Sequence, residues 1–287
     1  IRYFGAGDEA SMVYQFPLPP LTLHAFLRGN ARWLRQWAKT LEADPLPGNC
    51  TFFNFLASHD GIGLRPVENV LDAEEKNFLI SEVERKEGRI SWKTDPDGSQ
   101  SPYELNINYL SALSEPGESQ DSQIARFSAA HAILFMLQGV PAIYYHSLLG
   151  SENDVAGLRA SGINRRINRE KLDLSRLHSE LIDPQSLRAR IYGELTKLLQ
   201  IRRQHPAFSP HAGQRVLPLE DSLFGVVRQN KQESETLYCV VNVTGTPQPL
   251  SLPVSGIDLV TNKPFTGRCI LAGWQTLWVQ VNSPLEA

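Results

Sequence analysis

A histidine and an aspartate stand at the end of an apolar run, where a buried strand would present them at its tip. The stretch TFFNFLASHDGIG, residues 51–63, passes from mostly apolar residues into His59 and Asp60 and then into Gly61 and Gly63. In a βα fold the carboxyl ends of the strands form the active-site face, and glycine lets the backbone approach a ligand. One interpretation is therefore a catalytic or substrate-binding pair. The other is local, with Asp60 capping a turn and His59 bonding nearby, and the pattern alone favours neither.

Two further stretches carry groups that bind anions or sugars. GINRRINREK, residues 162–171, contains Arg165, Arg166 and Arg169, and guanidinium groups bind carboxylates and phosphates through two parallel hydrogen bonds. PDGSQSPYE, residues 96–104, contains Tyr103, whose ring could stack on a sugar while its hydroxyl forms a hydrogen bond. For any single arginine a solvated charge run is the simpler explanation, and Tyr103 alone is a weak signal.

Composition and missing motifs exclude several classes of protein. The net charge of −3 gives no global attraction to nucleic acid or to an anionic membrane, and no run of 18 apolar residues predicts a membrane span. The stretches GxGxxG, GxxxxGK[ST], HExxH and GxSxG are absent. Seven scattered histidines and three distant cysteines form no metal-binding pattern, so we expect no metal and reduced thiols in a cytoplasmic protein.

The order of apolar patterns predicts two domains. Strand-like runs at residues 11–16, 51–58 and 139–146 alternate with helical patterns that include residues 21–41, 71–88 and 184–204. Residues 61–122 form a long insertion with an Asp-Pro-Asp-Gly turn. We therefore predict an α/β domain over residues 1–205 and an antiparallel β domain over residues 206–287. Three βα units cannot close a barrel of eight, so they form a small open sheet or the last part of a longer barrel.

Three motifs in this order resemble the sucrose phosphorylase branch of the α-amylase-like glycoside hydrolase family. They are YFGAGDEASMVYQFPLPPLTLHAF, FFNFLASHDGIGLRPV, and GVPAIYYHSLLGSENDVAG followed by INRRINREKLD. The resemblance implies a (β/α)₈ barrel, here its strands six to eight, followed by the family's C-terminal β domain. It also implies a retaining reaction with an aspartate nucleophile, a glutamate acid/base and a second, stabilising aspartate. Phosphate then takes the glucosyl group and gives α-glucose 1-phosphate.

The resemblance also implies roles for individual residues. Asp60 would be the stabilising aspartate, and His59 would hydrogen-bond the same sugar hydroxyls. Arg169 resembles the arginine at the floor of the glucose pocket, and we place Arg166 with it among the substrate-binding residues. The last two residues of this set, Tyr103 and Glu104, match the acceptor-side loop that also meets phosphate. No cofactor is implied, because inorganic phosphate is a co-substrate.

The same resemblance places the nucleophile and the acid/base on strands four and five, which would precede this chain. Asp8 and Glu9 lie in a loop-like segment and offer no replacement. We therefore expect a C-terminal portion of an enzyme that does not turn over substrate alone.

Substrate choice within the branch stays open at this stage. ISWKTDPDGSQSPYELNINYL is more similar to relatives that act on glucosylglycerate or sucrose 6′-phosphate than to strict sucrose phosphorylases. Those acceptors are anionic, and Lys93, Arg65 and the arginine loop could supply complementary charge. We expect small-molecule glucosides and phosphate as partners, with no nucleic acid and no membrane. The sequence does not indicate the oligomeric state. The alternatives are a hydrolase or transglucosidase on the same scaffold, or a non-catalytic carbohydrate-binding protein.

Overall fold

The computed structural model describes residues 2–42, 46–230, 232 and 234–284. In the first part of the chain, helices surround two small sheets. The elements of this part are β1 (Met12–Tyr14), α1 (Leu18–Arg28), α2 (Arg32–Thr40), β2 (Thr51–Phe55), β3 (Ile62–Gly63), α3 (Ala73–Arg85), β4 (Arg89–Thr94), β5 (Gln100–Asn106), α4 (Tyr109–Leu113), α5 (Gln120–Met136), β6 (Val140–Ala142), α6 (Tyr145–Leu148), α7 (Val155–Ser161), α8 (Leu174–Ile182) and α9 (Leu187–Gln204).

A parallel sheet carries the polar ends identified in the sequence. Its strand order is β1-β2-β6, with Val13 opposite Phe52 and Phe53 opposite Val140. Each of the three strand-like runs thus contributes one strand, as predicted. Strand β2 ends at Phe55, three residues earlier than predicted, and the following residues turn, with the Asp60 N–H donating to Ser58 Oγ over 3.1 Å.

The helix predicted over residues 21–41 is wrong in one respect, because the structure has two helices there. Helix α1 ends at Gly29, which adopts the left-handed conformation with φ of 63°, a common way to terminate a helix. The Gly29 N–H donates to Ala25 O, and Asn30 Oδ1 then accepts the N–H of Arg32 at the start of α2. The helical spacing of apolar residues continues across Gly29, so the sequence pattern did not indicate the break between the two helices.

The insertion at residues 61–122 is more regular than its sequence indicates. The charged segment forms α3, and the Asp-Pro-Asp-Gly stretch forms the predicted turn, with the Gly98 N–H donating to Asp95 O over 2.9 Å. The turn joins β4 and β5, which form an antiparallel sheet in the order β3-β5-β4. This sheet brings the Gly61–Gly63 segment against Glu104 and Leu105.

The last part of the chain is an antiparallel β structure. Its strands are β7 (Gly213–Val216), β8 (Leu223–Gln229), β9 (Thr236–Asn242), β10 (Gln248–Ser251), β11 (Val254–Asp258), β12 (Lys263–Phe265), β13 (Arg268–Leu271) and β14 (Thr276–Pro284). They form a six-stranded sheet in the order β12-β11-β14-β9-β8-β7 and a separate pair of β10 with β13. The predicted class, α/β followed by antiparallel β, is confirmed. The boundary at 205/206 stays a prediction, because one continuous apolar core joins residues of α5, such as Phe135, to Phe224 and Trp278.

Helix α5 is the centre of that shared core, and two buried arginines bind the chain at its carboxyl end. Arg228, in β8, donates to Met136 O over 2.9 Å and to Ser209 O over 2.8 Å, and Arg202, in α9, donates to Gly139 O over 2.8 Å. Burial, with a smaller effect from Arg202, lowers the pKa of Arg228 to about 9. The carbonyl groups at a helix end carry partial negative charge, so they compensate two cations that have no buried carboxylate beside them in the described structure.

No helix in the described ranges is both long enough and apolar enough to span a lipid bilayer.

We expect Arg228→Ala to lower the free energy of unfolding by about 3 kcal/mol, because it leaves several buried carbonyl groups without a donor. The matched control is Arg215→Ala, on the exposed side of neighbouring β7, for which we expect a change within about 0.5 kcal/mol. Urea unfolding followed by circular dichroism measures both values. Equal midpoints for the two variants would contradict the role of Arg228.

Candidate active site

A cleft with a volume of about 710 Å³ opens beside the carboxyl ends of β1 and β2. This size is within the range of small-molecule sites. Its lining combines aromatic rings with charged groups. The aromatic and charged residues that line it are Tyr3, Tyr14, Phe16, Phe55, Tyr103, Asp60, Arg65, Glu68, Glu104 and Arg165. Sugars present both apolar ring faces and hydroxyl groups, so a lining of both kinds suits a carbohydrate.

Asp60 lies in this cleft with two guanidinium groups and an imidazole ring near one oxygen of its carboxylate. Arg165 Nη1 lies 2.8 Å from Asp60 Oδ1, and Arg169 Nη2 and His59 Nε2 each lie 3.5 Å from the same oxygen. The aspartate side chain nevertheless keeps 40% of its surface exposed. Its second oxygen, Oδ2, has no hydrogen bond to the residues that the structure describes. The carboxylate is therefore held through one oxygen and can accept a ligand hydroxyl through the other.

Glu104 is buried behind this aspartate, with only 4% of its side chain exposed. Its Oε1 accepts the N–H of Gly61, and its Oε2 lies 3.1 Å from Arg165 Nε. The hydrogen bond with Glu104 raises the pKa of Arg165. Both oxygens of Glu104 are thus occupied, and the structure uses them to position Arg165 and the turn that carries Asp60.

The arginine loop supports the same turn from the other side. Arg169 Nε donates to His59 O over 2.6 Å, and Asn168 Nδ2 donates to Asp60 O over 2.8 Å and to Ser58 O over 3.1 Å. Residues 164–168 form a 3₁₀ turn, so Arg165, Asn168 and Arg169 reach one side of the loop. Their bonds fix the backbone at the end of β2.

Arg166 does not join this cluster. Its guanidinium group pairs with Asp154 at 2.5 Å and donates to Arg169 O. The structure therefore places Arg166 as a support within the loop, away from Asp60, and its predicted substrate contact gains no support from the geometry. Sequence reasoning noted Arg165 within the loop but did not select it, although the spacing of residues three and four apart on a helical turn could have grouped it with Asn168 and Arg169.

The two remaining predicted residues lie at the surface of the cleft region. His59 has 72% of its side chain exposed, and Tyr103 is also exposed, on strand β5. Tyr103 lines the cleft, so its ring is available to a ligand. Among the residues that the structure describes, no group of His, Cys, Asp and Glu is arranged to hold a metal ion.

Comparison with known proteins relates this geometry to a family. The chain is 46% identical over 283 residues to a glucosylglycerate phosphorylase of Allomeiothermus silvanus, across 97% of the chain and 49% of that protein. It is 42% identical over 284 residues to the glucosylglycerate phosphorylase of Escherichia coli, across 98% of the chain and 50% of that protein. The chain belongs to the sucrose phosphorylase-like branch of the α-amylase family. A sucrose phosphorylase of Agrobacterium vitis is 32% identical over 70% of the chain and 39% of its own length.

Solved structures of this family share the fold. The sucrose 6F-phosphate phosphorylase of Thermoanaerobacter thermosaccharolyticum superposes with a TM-score of 0.67 at 20% identity, over 84% of this chain and 45% of that one. An α-amylase of Geobacillus thermoleovorans superposes with a TM-score of 0.60 at 13% identity, over 97% of this chain and 49% of that one. No protein-family model matches the chain. The chain spans about half the length of the curated relatives it matches.

The parallel sheet β1-β2-β6 can be compared with the (β/α)₈ barrel of the α-amylase family. The sheet and its helices correspond to part of such a barrel, and the antiparallel strands that follow correspond to the C-terminal β structure. The cleft lies at the carboxyl ends of the strands, which is the active-site face of (β/α)₈ barrels.

We expect Gly61→Ala to destabilise the site, because a Cβ there would lie 2.5 Å from Leu105 O and 2.7 Å from Glu104 Cγ. The free energy of unfolding should fall by about 1–3 kcal/mol. In the control Gly193→Ala, within helix α9, the added Cβ meets no atom within 4 Å, and we expect stabilisation of about 0.5–1 kcal/mol. Chemical denaturation distinguishes the opposite signs. A stabilised Gly61→Ala variant would show that Glu104 and the turn do not pack as described.

Proposed function

We propose that this chain forms part of the active site of a retaining α-glucoside phosphorylase, with glucosylglycerate as its substrate. The observation that carries the proposal is the Asp60 carboxylate, which faces a cleft of sugar-binding character and is held through Oδ1 by two guanidinium groups. The names of the phosphorylases that are 42–46% identical support the reaction and the donor. Phosphate would be the co-substrate and α-glucose 1-phosphate the product.

In the proposed reaction Asp60 acts on the charge that develops on the sugar. Cleavage of the glycosidic bond passes through an oxocarbenium-like transition state. A carboxylate that accepts a hydrogen bond from a sugar hydroxyl binds that state more tightly than the ground state, because the hydroxyl becomes more acidic as positive charge grows. The contacts of Arg165 and Arg169 with Oδ1 fix the direction in which Oδ2 can accept that bond. His59, exposed beside it, would contact the same hydroxyls.

The covalent steps require two further carboxylates. A nucleophile forms a bond to the anomeric carbon while a general acid gives its proton to the departing glycerate oxygen, and phosphate oxygen then displaces the nucleophile. These two carboxyl groups lie about 5–5.5 Å apart in retaining enzymes. Three carboxylates line the described cleft, and Arg165 engages Asp60 and Glu104, so Glu68 alone is uncommitted and cannot supply a pair. We therefore propose that the nucleophile and the acid/base are not among them, and that the 287-residue chain does not turn over alone.

The Asp60→Asn variant tests the proposed role directly. In the full-length gene product, we expect kcat/KM for phosphorolysis of glucosylglycerate to fall by about 10²–10³, because the amide cannot stabilise positive charge as a carboxylate does. Release of glucose 1-phosphate measures the rate. The control Glu194→Gln changes an exposed carboxylate on helix α9 and should leave the rate unchanged.

Three outcomes would contradict the proposal at different points. An Asp60→Asn rate close to that of the wild type would remove Asp60 from the mechanism. Formation of free glucose alone in the presence of phosphate would assign the protein to hydrolysis instead. Turnover by the purified 287-residue chain would show that it contains all the carboxylates that catalysis needs.

A further inference from the structure

Arg65 is a cation of the cleft that has no partner among the residues described by the structure. Arg65 lines the cleft and is exposed, and its guanidinium group forms no hydrogen bond or ion pair with any residue that the structure describes. The other arginine that lines the cleft, Arg165, is bound by two carboxylates, Asp60 and Glu104. Of these two described arginines, Arg165 is compensated and Arg65 is available to an anion.

The backbone fixes where Arg65 stands. Gly63 pairs with Glu104 in the sheet, and the Leu64 N–H donates to Tyr103 O over 3.1 Å. Leu64 and Val67, on either side of Arg65, are fully buried. Arg65 therefore projects from an anchored 3₁₀ turn next to Tyr103. The fold fixes the backbone of Arg65, and its exposed side chain can change rotamer to contact a ligand.

The other cations considered from the sequence are occupied. Lys93 pairs with Asp95 at 3.0 Å and does not line the cleft, and Arg166 pairs with Asp154. Arg169 contacts His59 O and Asp60. Of these candidates for binding an anionic acceptor, Arg65 is the one that lines the cleft without a partner in the described structure.

The charges around Arg65 also select the kind of anion. Glu68, three positions further along the chain, also lines the cleft and is a carboxylate without an ion pair in the described residues. A single unpaired guanidinium group beside a carboxylate suits a ligand group with one negative charge. A phosphate monoester carries about −1.5 to −2 near neutral pH, so Arg65 attracts it and Glu68 repels it more strongly than a carboxylate, and one guanidinium group compensates only part of its charge. This balance favours a carboxylate over a sugar phosphate.

We propose that Arg65 is the specificity-determining residue that binds the carboxylate of the acceptor, glycerate, on the Tyr103 side of the cleft. The proposal rests on the proposed function, since it assigns the glucosyl group to Asp60 and the acceptor to Arg65. A guanidinium fork holds a carboxylate through two parallel hydrogen bonds. A neutral acceptor of similar shape, such as glycerol, offers no group for this contact. Arg65 would therefore set the preference between the two.

The test measures synthesis from glucose 1-phosphate by the full-length gene product, with glycerate or glycerol as acceptor. We expect Arg65→Gln to raise the KM for glycerate by roughly tenfold to a hundredfold and to leave the KM for glycerol within about twofold. Arg65→Lys keeps the charge and loses the fork, so its KM for glycerate should lie between those values. The control Arg268→Gln, an exposed arginine of strand β13, should change neither constant.

The outcomes separate this proposal from the proposed function. If the wild type prefers glycerate and Arg65→Gln keeps that preference, Arg65 does not read the acceptor, although the proposed function stands. If Arg65→Gln raises the KM for phosphate in phosphorolysis but leaves the ratio of glycerate to glycerol unchanged, Arg65 binds phosphate and the proposal is overturned. If the wild type forms no glucosylglycerate from glucose 1-phosphate, both proposals fail together.

Discussion

The guanidinium group of Arg165 bridges two carboxylates that lie 44 positions apart in the sequence, Asp60 and Glu104. It joins three segments: the end of a parallel strand, the hairpin of the insertion and the arginine loop. No single β-sheet of the described structure contains all three of these segments. The partly exposed site gives each ion pair only a modest energy. The network is geometrically effective because Glu104 is buried and already fixed by the Gly61 N–H. The contact with Glu104 thereby restricts the rotamer of Arg165 independently of its contact with Asp60.

Two further arginines also join separate segments, in the buried core around the carboxyl end of α5. Arg202 and Arg228 bind carbonyl groups around the end of α5 and the start of β6. Arg228, in β8, couples the antiparallel β structure to the end of α5 through the main chain, and Arg202, in α9, binds the residue before β6. Strand β6 pairs with β2, the strand that leads to Asp60. The antiparallel part of the chain is thus joined to the sheet that carries the site, although none of its described residues lines the cleft.

The sequence predicted those parts of the fold that short-range patterns determine. Three apolar runs became the three parallel strands, and the Asp-Pro-Asp-Gly turn formed as expected. Strands β4 and β5 were missed because neither contains a continuous apolar run: β4 buries one of its six residues, and the three buried residues of β5 include two polar ones, Glu104 and Asn106. The break at Gly29 was missed because the apolar face continues across it. The partners of Arg228 come from distant segments, and no local pattern in β8 indicates them.

The site shows the same division. Their place after an apolar strand made His59 and Asp60 candidates, and the family resemblance gave them an expected role, which stays a prediction. The sequence could not separate Arg165 from Arg166, because adjacent residues of one turn differ only in direction, and direction is set by Asp154 on one side and Glu104 on the other. It also could not show that Lys93 would be neutralised by Asp95 while Arg65 would not. Pairing is a three-dimensional property, and it decides which cations remain for a ligand.

Under the two proposals, catalysis and specificity place different requirements on the charged groups of the cleft. Asp60 must keep one orientation, so its cations are shared with other protein groups and its position is determined from three sides. A group that binds a charged acceptor must instead be free of protein partners. Desolvation of the charged ligand costs free energy, and a side chain that is already paired within the protein does not offset that cost. Arg65 has no partner among the residues that the structure describes, and its turn is held by strand β5 through Gly63 and Leu64, whereas Asp60 is held by the arginine loop. A change at residue 65 could then alter the acceptor without disturbing the contacts that hold Asp60, which would allow one glucosyl-binding site to serve acceptors of different charge.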